Sequence, residues 1–153
     1  MSPFLPTIIL RHRKENLKKC SLRGLEGRFD MQFYTYPSAD LPPMENYILL
    51  SMEAPLLTSE DRESGIFLID GTWKYAEKMT QSVLQKHSLQ RRSLPSFCKT
   101  AYPRKQTGCR DPEKGLASIE ALFFAYLILG RNPEGLLEHY HWKDDFLALN
   151  FKL

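Results

Sequence analysis

Three cysteines in 153 residues, Cys20, Cys98 and Cys109, are an odd number and contain no Cys-x-x-Cys pair. That pattern argues against a disulfide framework and against a zinc ribbon, and it fits a reducing compartment. The longest apolar stretch, residues 121–129, falls well short of the roughly 20 residues a helix needs to cross a bilayer. The segment MSPFLPTIIL has too little apolar length and no basic leader for an export signal, so a cytoplasmic protein is expected. No GxxxxGK[ST] phosphate loop, GxGxxG turn or GxSxG elbow occurs, which disfavours nucleotide hydrolysis, a standard dinucleotide site and an ordinary serine hydrolase. His139 and His141 are two residues apart and would face different sides of a helix, and His12 and Cys20 have no further partners at ligand spacing. No metal site is expected.

What is present is one core's worth of chain. With 42% hydrophobic residues, the length supports a single compact domain over 1–153. Pro37, Pro42 and Pro43 mark a boundary between a small basic amino-terminal portion, 1–45, and the remainder, 46–153. The net charge of +3 is modest, but it is unevenly spread. Arg11, Arg13, Lys14, Lys18, Lys19, Arg23 and Arg28 form one block against Glu15 and Glu26. Lys86, Arg91, Arg92, Lys99, Arg104, Lys105, Arg110 and Lys114 form a second against Asp111 and Glu113. Such blocks can follow a phosphate backbone, or they can simply be solvated surface.

Short apolar runs at 7–10, 47–50 and 66–69 read as buried strands, and the aromatic-rich 29–36 reads as extended. Helices are expected around 18–25, from Trp73 onward, over 116–129 with Gly130 closing it, from Asn132 or Pro133, and over 142–149 with Phe146, Leu147 and Leu149 turned inward. Thr58 followed by Asp61 opens a short helical turn. Residues 87–115 read mainly as loops, with one strand near 97–101; a long loop in a compact domain is a candidate substrate surface. Strands alternating with helices predict an α/β protein built on a mostly parallel sheet.

The stretch from Ile66 to Trp73 carries the most chemistry. An apolar strand delivers Asp70, Gly71, Thr72 and Trp73 to the turn where a helix begins, and in open α/β sheets that crevice is where ligands bind. Asp70 or Thr72 capping the helix, with Trp73 filling core, accounts for the same residues equally well. Backbone-rich turns recur at Leu50-Ser51, Leu94-Pro95, Ala101-Tyr102-Pro103 and 116–120. Exposed amides and apolar side chains of this kind suit an adenosine-containing cofactor.

The string DGTW at 70–73, followed by AEKM, resembles the motif of the DTW-domain proteins. KKCSLRGL at 18–25, ILLS at 48–51, SEDR at 59–62, RSLPSF at 92–97, AYP at 101–103, LASIEAL at 116–122 and HWKDDFLALN at 141–150 are similar, in order, to motifs of the aminocarboxypropyltransferases that modify small-subunit ribosomal RNA. The resemblance implies a SPOUT-like fold with a carboxy-terminal trefoil knot, around S-adenosylmethionine as co-substrate. It also implies transfer of the 3-amino-3-carboxypropyl group to N3 of a uridine or pseudouridine in rRNA, by a monomer acting in ribosome biogenesis. The DTW-type relatives make tRNA uridine the alternative target, and Gly71-Thr72 and Tyr102 depart from the ribosomal pattern. A SPOUT methyltransferase and a non-enzymatic RNA-binding module are the readings from other classes.

On this reading Asp70 is the key acidic catalytic residue, either binding the α-ammonium of the co-substrate or accepting the N3 proton as a base. Leu50, Ser51, Ile69, Trp73, Leu94 and Leu116 form the co-substrate pocket, with hydroxyls from Ser21 and Ser118. Arg11, Arg13, Lys18, Lys19, Arg92, Arg104 and Lys105 contact RNA, and no metal takes part.

Overall fold

The computed structural model describes residues 4–17, 20–37, 40–102 and 116–151. Five strands, β1 (Thr7–His12), β2 (Met31–Tyr36), β3 (Tyr47–Leu50), β4 (Gly65–Asp70) and β5 (Gln90–Arg92), form one sheet in the order β2-β1-β4-β3-β5, and every pairing is parallel. The strands of the basic amino-terminal portion therefore lie in the same sheet as the DGTW strand. Three α-helices, α1 (Trp73–Lys86), α2 (Ser118–Ile128) and α3 (Lys143–Phe151), and a 3₁₀ turn at Ser59–Asp61 complete the described elements.

The period-two alternation of strand side chains divides the core. Ile8, Leu10, Leu49 and Phe67 point to one face, where they pack with Met79 and Val83 of α1. Ile9, Ile48, Ile66 and Leu68 point to the other, against Ile119, Leu122 and Phe124 of α2 and Phe146 of α3. A sheet covered on both faces demands continuous apolar strands, and β1 and β4 are apolar through their centres for that reason. Helix α2 is apolar on nearly every side, with Ile119, Glu120, Leu122, Phe124, Ala125 and Tyr126 all buried.

Several expected elements differ. Residues 21–24 form turns in place of a helix, with Gly24 in the left-handed region at φ +91°. The strand expected near 97–101 lies instead at Gln90–Arg92, a polar edge strand paired only with β3. The amides of Lys99 and Ala101 are taken by the side chains of Asn150 and Glu120 and are unavailable to a ladder. After α2, Gly130 takes φ +72° and ends the helix. The helix expected from Asn132 or Pro133 is a series of turns, broken at Gly135 with φ +82°. In α3, Phe146 is fully buried while Leu149 is half exposed.

Candidate active site

The strand order reverses around β4: the chain goes from β1 outward to β2, returns on the far side as β3, and inserts β4 between β1 and β3. Ligands of open parallel sheets bind outside the carboxyl ends of strands at such a point. β4 delivers Asp70 there, and α1 starts three residues on. Thr72 is the N-cap residue; its carbonyl accepts the Tyr75 and Ala76 amides, and its hydroxyl makes no capping bond.

Asp70 is almost fully buried and all its acceptor capacity faces protein. Oδ2 accepts from Arg11 Nε and from the Cys20 thiol, both at 3.2 Å, and Oδ1 accepts from Ser118 Oγ at 2.9 Å. The Arg11 guanidinium also donates to Cys20 Sγ at 3.5 Å, lies 3.7 Å from Glu26 and stacks over Phe33. Asp70 thus ties β1, the 20–22 turn and α2 to the end of β4. Ligand atoms of Glu15, Cys20 and Asp70 lie within 4.8 Å of one another. Burial, then the adjacent Asp70, pushes the Cys20 thiol up to about 12, so it stays protonated, and Arg11 donates to both Asp70 Oδ2 and Cys20 Sγ. This set is an internal ion-pair cluster in its present arrangement.

Beside it opens a cavity of about 390 Å³. Its walls come from the end of β3 (Leu50, Ser51), the end of β4 (Leu68, Ile69, Gly71), the segment after β5 (Leu94, Pro95) and the start of α2 (Leu116, Ser118). Gly71 packs closely here: a Cβ at this position would sit 3.0 Å from Met79 Sδ. Cys98 also lines the cavity, and burial pushes its thiol up to about 11, which leaves it unsuited to act as a thiolate nucleophile near neutral pH.

The wall after β5 is fastened from three directions. Ser51 N–H donates to the Arg92 carbonyl, Leu57 N–H to the Ser93 carbonyl and Ser93 N–H to the Pro55 carbonyl, lacing the β3 and β5 loops together. Asn150 of α3 grips Lys99 with both halves of its amide, at 2.8 and 2.9 Å. Glu120, fully buried, accepts four hydrogen bonds: from Thr100 Oγ1 (2.6 Å) and Ala117 N (2.8 Å) on Oε1, and from Ala101 N (2.8 Å) and Tyr140 Oη (3.0 Å) on Oε2. As the third residue of α2 it also sits where the helix dipole favours negative charge.

Of the residues expected at the co-substrate pocket, Leu50, Ser51, Ile69, Leu94, Leu116 and Ser118 meet in this cavity. Ser21 does not line it; its hydroxyl accepts the Ile119 N–H and helps hold the 20–22 turn to α2. Asp70 itself does not line the cavity, but its neighbours Ile69 and Gly71 and its hydrogen-bond partner Ser118 do. The side chain of Trp73, together with Lys18, Lys19, Arg104 and Lys105, lies outside the described residues. Arg13 is exposed, as an RNA contact requires. Arg11 is buried against Asp70, and Arg92 is spent on Asp61, Gln90 and the Arg91 carbonyl, so neither presents a free guanidinium to a phosphate in this arrangement. The sequence reading passed over Glu120 and Asn150. Glu120 did leave a signal: it is a lone acid in an apolar helix, three residues after the N-cap position.

These elements define a parallel α/β protein with a ligand-sized cavity at the carboxyl ends of its central strands. The same fold occurs in the solved structure of the SAM-dependent rRNA:acp-transferase Tsr3 from Vulcanisaeta distributa. The two chains are 23% identical, with a TM-score of 0.69, over 97% of this chain and 80% of that one. No family model and no curated protein matches the chain.

Proposed function

We propose that this chain transfers the 3-amino-3-carboxypropyl group of S-adenosylmethionine to N3 of an unpaired uridine or pseudouridine in ribosomal RNA. The observation that carries the proposal is the cavity beside Asp70, formed by Leu50, Ser51, Ile69, Leu94, Leu116 and Ser118 in a fold similar to that of an rRNA acp-transferase. Its volume lies at the lower end of the roughly 300–1,000 Å³ usual for small-molecule sites, and its lining mixes apolar side chains with the hydroxyls of Ser51, Ser96 and Ser118. That suits one nucleoside with an amino-acid arm. The SPOUT-like trefoil knot, a monomeric state and a cytoplasmic location belong to the same proposal. Among the described residues no helix is long and apolar enough to cross a membrane.

The bound sulfonium supplies an electrophilic Cγ; the N3–Cγ bond forms as the Cγ–S bond breaks, the sulfur takes the bonding pair, and the N3 proton passes to solvent water. The protein contributes position, aligning the nucleophile with Cγ in preference to the methyl carbon. Leu50, Leu94 and Leu116 form the apolar walls, and Trp73 is assigned to the face that covers the methyl group. Ser118 offers its hydroxyl oxygen as an acceptor, because its proton is committed to Asp70. Asp70, paired with Arg11 and outside the cavity lining, is a positioning residue on this account, fixing the Ser118 hydroxyl and the start of α2. The protonated state of Cys98 agrees with direct displacement and no thioether intermediate.

The N3 position lies on the pairing edge, so the target base must be looped out or flipped. Arg13, Lys18, Lys19, Arg104 and Lys105 are assigned to its flanking phosphates. The DGTW turn favours a second target, a tRNA uridine, with the same chemistry. Mass spectrometry of nucleosides from the rRNA and tRNA of a strain lacking this chain tests both. Loss of an aminocarboxypropyl nucleoside from rRNA supports the first target and loss from tRNA the second; intact modification in both pools refutes the function.

A further inference from the structure

A cavity with room for one nucleoside leaves the second reactant at its mouth, and the turn beside it carries an exposed aromatic side chain. Phe97 is 74% exposed, although its neighbours Ser96 and Cys98 both line the cavity. It occupies the third position of a turn closed by the Cys98 N–H to the Pro95 carbonyl, at 3.1 Å. The turn is held at both ends. Ser93 is laced to Pro55 and Ala54 on one side, and Lys99 is gripped by Asn150 on the other. Of the two strongly exposed phenylalanines among the described residues, Phe29 at 82% and Phe97, only Phe97 is flanked by cavity-lining residues, so its ring presents a π-face beside the cavity. Met52 of the β3 loop is 47% exposed and also lines the cavity.

The geometry points to Phe97 as the platform on which the acceptor base of a single-stranded RNA stacks before it reaches the cavity. This rests on the functional reading above and specifies where the second substrate is held. A nucleobase is the occupant that fits: its π-face matches a rigid aromatic ring regardless of sequence, and the exposed Lys99, two residues on, meets the adjoining phosphate.

The test uses the full chain, a short single-stranded oligouridylate as probe, and the variants Phe97→Ala and Phe97→Trp, with Leu127→Ala as a control at an exposed apolar position on α2. Loss of one stacked base predicts about tenfold weaker oligouridylate binding for Phe97→Ala. S-Adenosylmethionine affinity stays within about twofold of the unsubstituted chain's, since a ring at the mouth makes no contact inside. Phe97→Trp restores binding, and oligouridylate, but not the duplex with oligoadenylate, quenches more indole emission in this variant than in the unsubstituted chain, whose Trp73 and Trp142 set the background. Unchanged oligouridylate affinity in Phe97→Ala overturns the inference, as does an equal loss of affinity for both ligands, which would make the turn a cavity wall only. Failure of the unsubstituted chain to bind S-adenosylmethionine would instead count against the functional reading, and the oligouridylate measurements judge the Phe97 platform separately.

Discussion

Replacing Glu120 with glutamine changes one oxygen to NH₂ and little in volume, and the structure fixes what that costs. The two backbone donors on this carboxylate go to different oxygens, Ala117 N–H to Oε1 and Ala101 N–H to Oε2. Whichever way the amide is turned, one of them faces an NH₂ group and loses its acceptor. The hydroxyls of Thr100 and Tyr140 can rotate to accept from the amide, but a backbone N–H cannot. An orphaned buried N–H costs about 1–3 kcal/mol, and the bonds that remain weaken as their acceptor loses charge. The sum is about 3 kcal/mol, or roughly 6–12 °C in Tm for a chain of this size. Urea unfolding of Glu120→Gln beside the unsubstituted chain measures it directly, and a loss below about 0.5 kcal/mol would show that the two amides do not depend on this carboxylate. Because Glu120 also fastens the loop that leads from the cavity wall, S-adenosylmethionine affinity should fall in the same variant under native conditions.

Asp70→Ala should destabilise the fold as well as weaken transfer, because it strands the buried Arg11 guanidinium; about 3 kcal/mol is expected, and an unchanged unfolding midpoint would contradict the ion-pair cluster. The pKa of His12 is lowered by burial, then by Lys14 and Arg13, and its Nδ1 accepts the Lys14 N–H. The folded state therefore binds fewer protons than the unfolded chain, and stability should drop as pH falls below about 6.5 toward the depressed folded value. Denaturation midpoints at pH 7.5 and 5.5 should differ more in the unsubstituted chain than in His12→Asn, and equal differences would remove His12 as the cause. Gly24→Ala should cost at least about 1 kcal/mol, since φ is +91° and a Cβ would run into the His139 ring; a neutral result by thermal melting would refute that close approach.

The parallel sheet was legible because β1, β3 and β4 are buried on both faces and so read as unbroken apolar runs bounded by turns. β5 was not: Gln90–Arg92 is an edge strand whose polar side chains carry no burial signal. The turns at 21–24 and 134–139 resembled helix locally, and glycines in the left-handed region, Gly24 and Gly135, decided otherwise. Leu50, Ser51, Ile69, Leu94, Leu116 and Ser118 meet in one cavity because apolar turns at the carboxyl ends of parallel strands lie side by side. Arg11 and Arg92 were misplaced because a cation in a basic block looks the same whether it faces solvent or a carboxylate 59 or 31 residues away in sequence. Glu120 was missed for a related reason, since three of its four donors become visible only once the 100–101 loop and Tyr140 have folded onto α2.

The most direct test of the central claim is incubation of purified protein and RNA with S-adenosylmethionine labelled separately in the carboxyl carbon and in the methyl carbon. The account predicts carboxyl label in the RNA with no methyl label and release of methylthioadenosine. Methyl label alone in the RNA would make the chain a methyltransferase, and no label of either kind, with no binding of S-adenosylmethionine by calorimetry, would leave an RNA-binding protein without this chemistry.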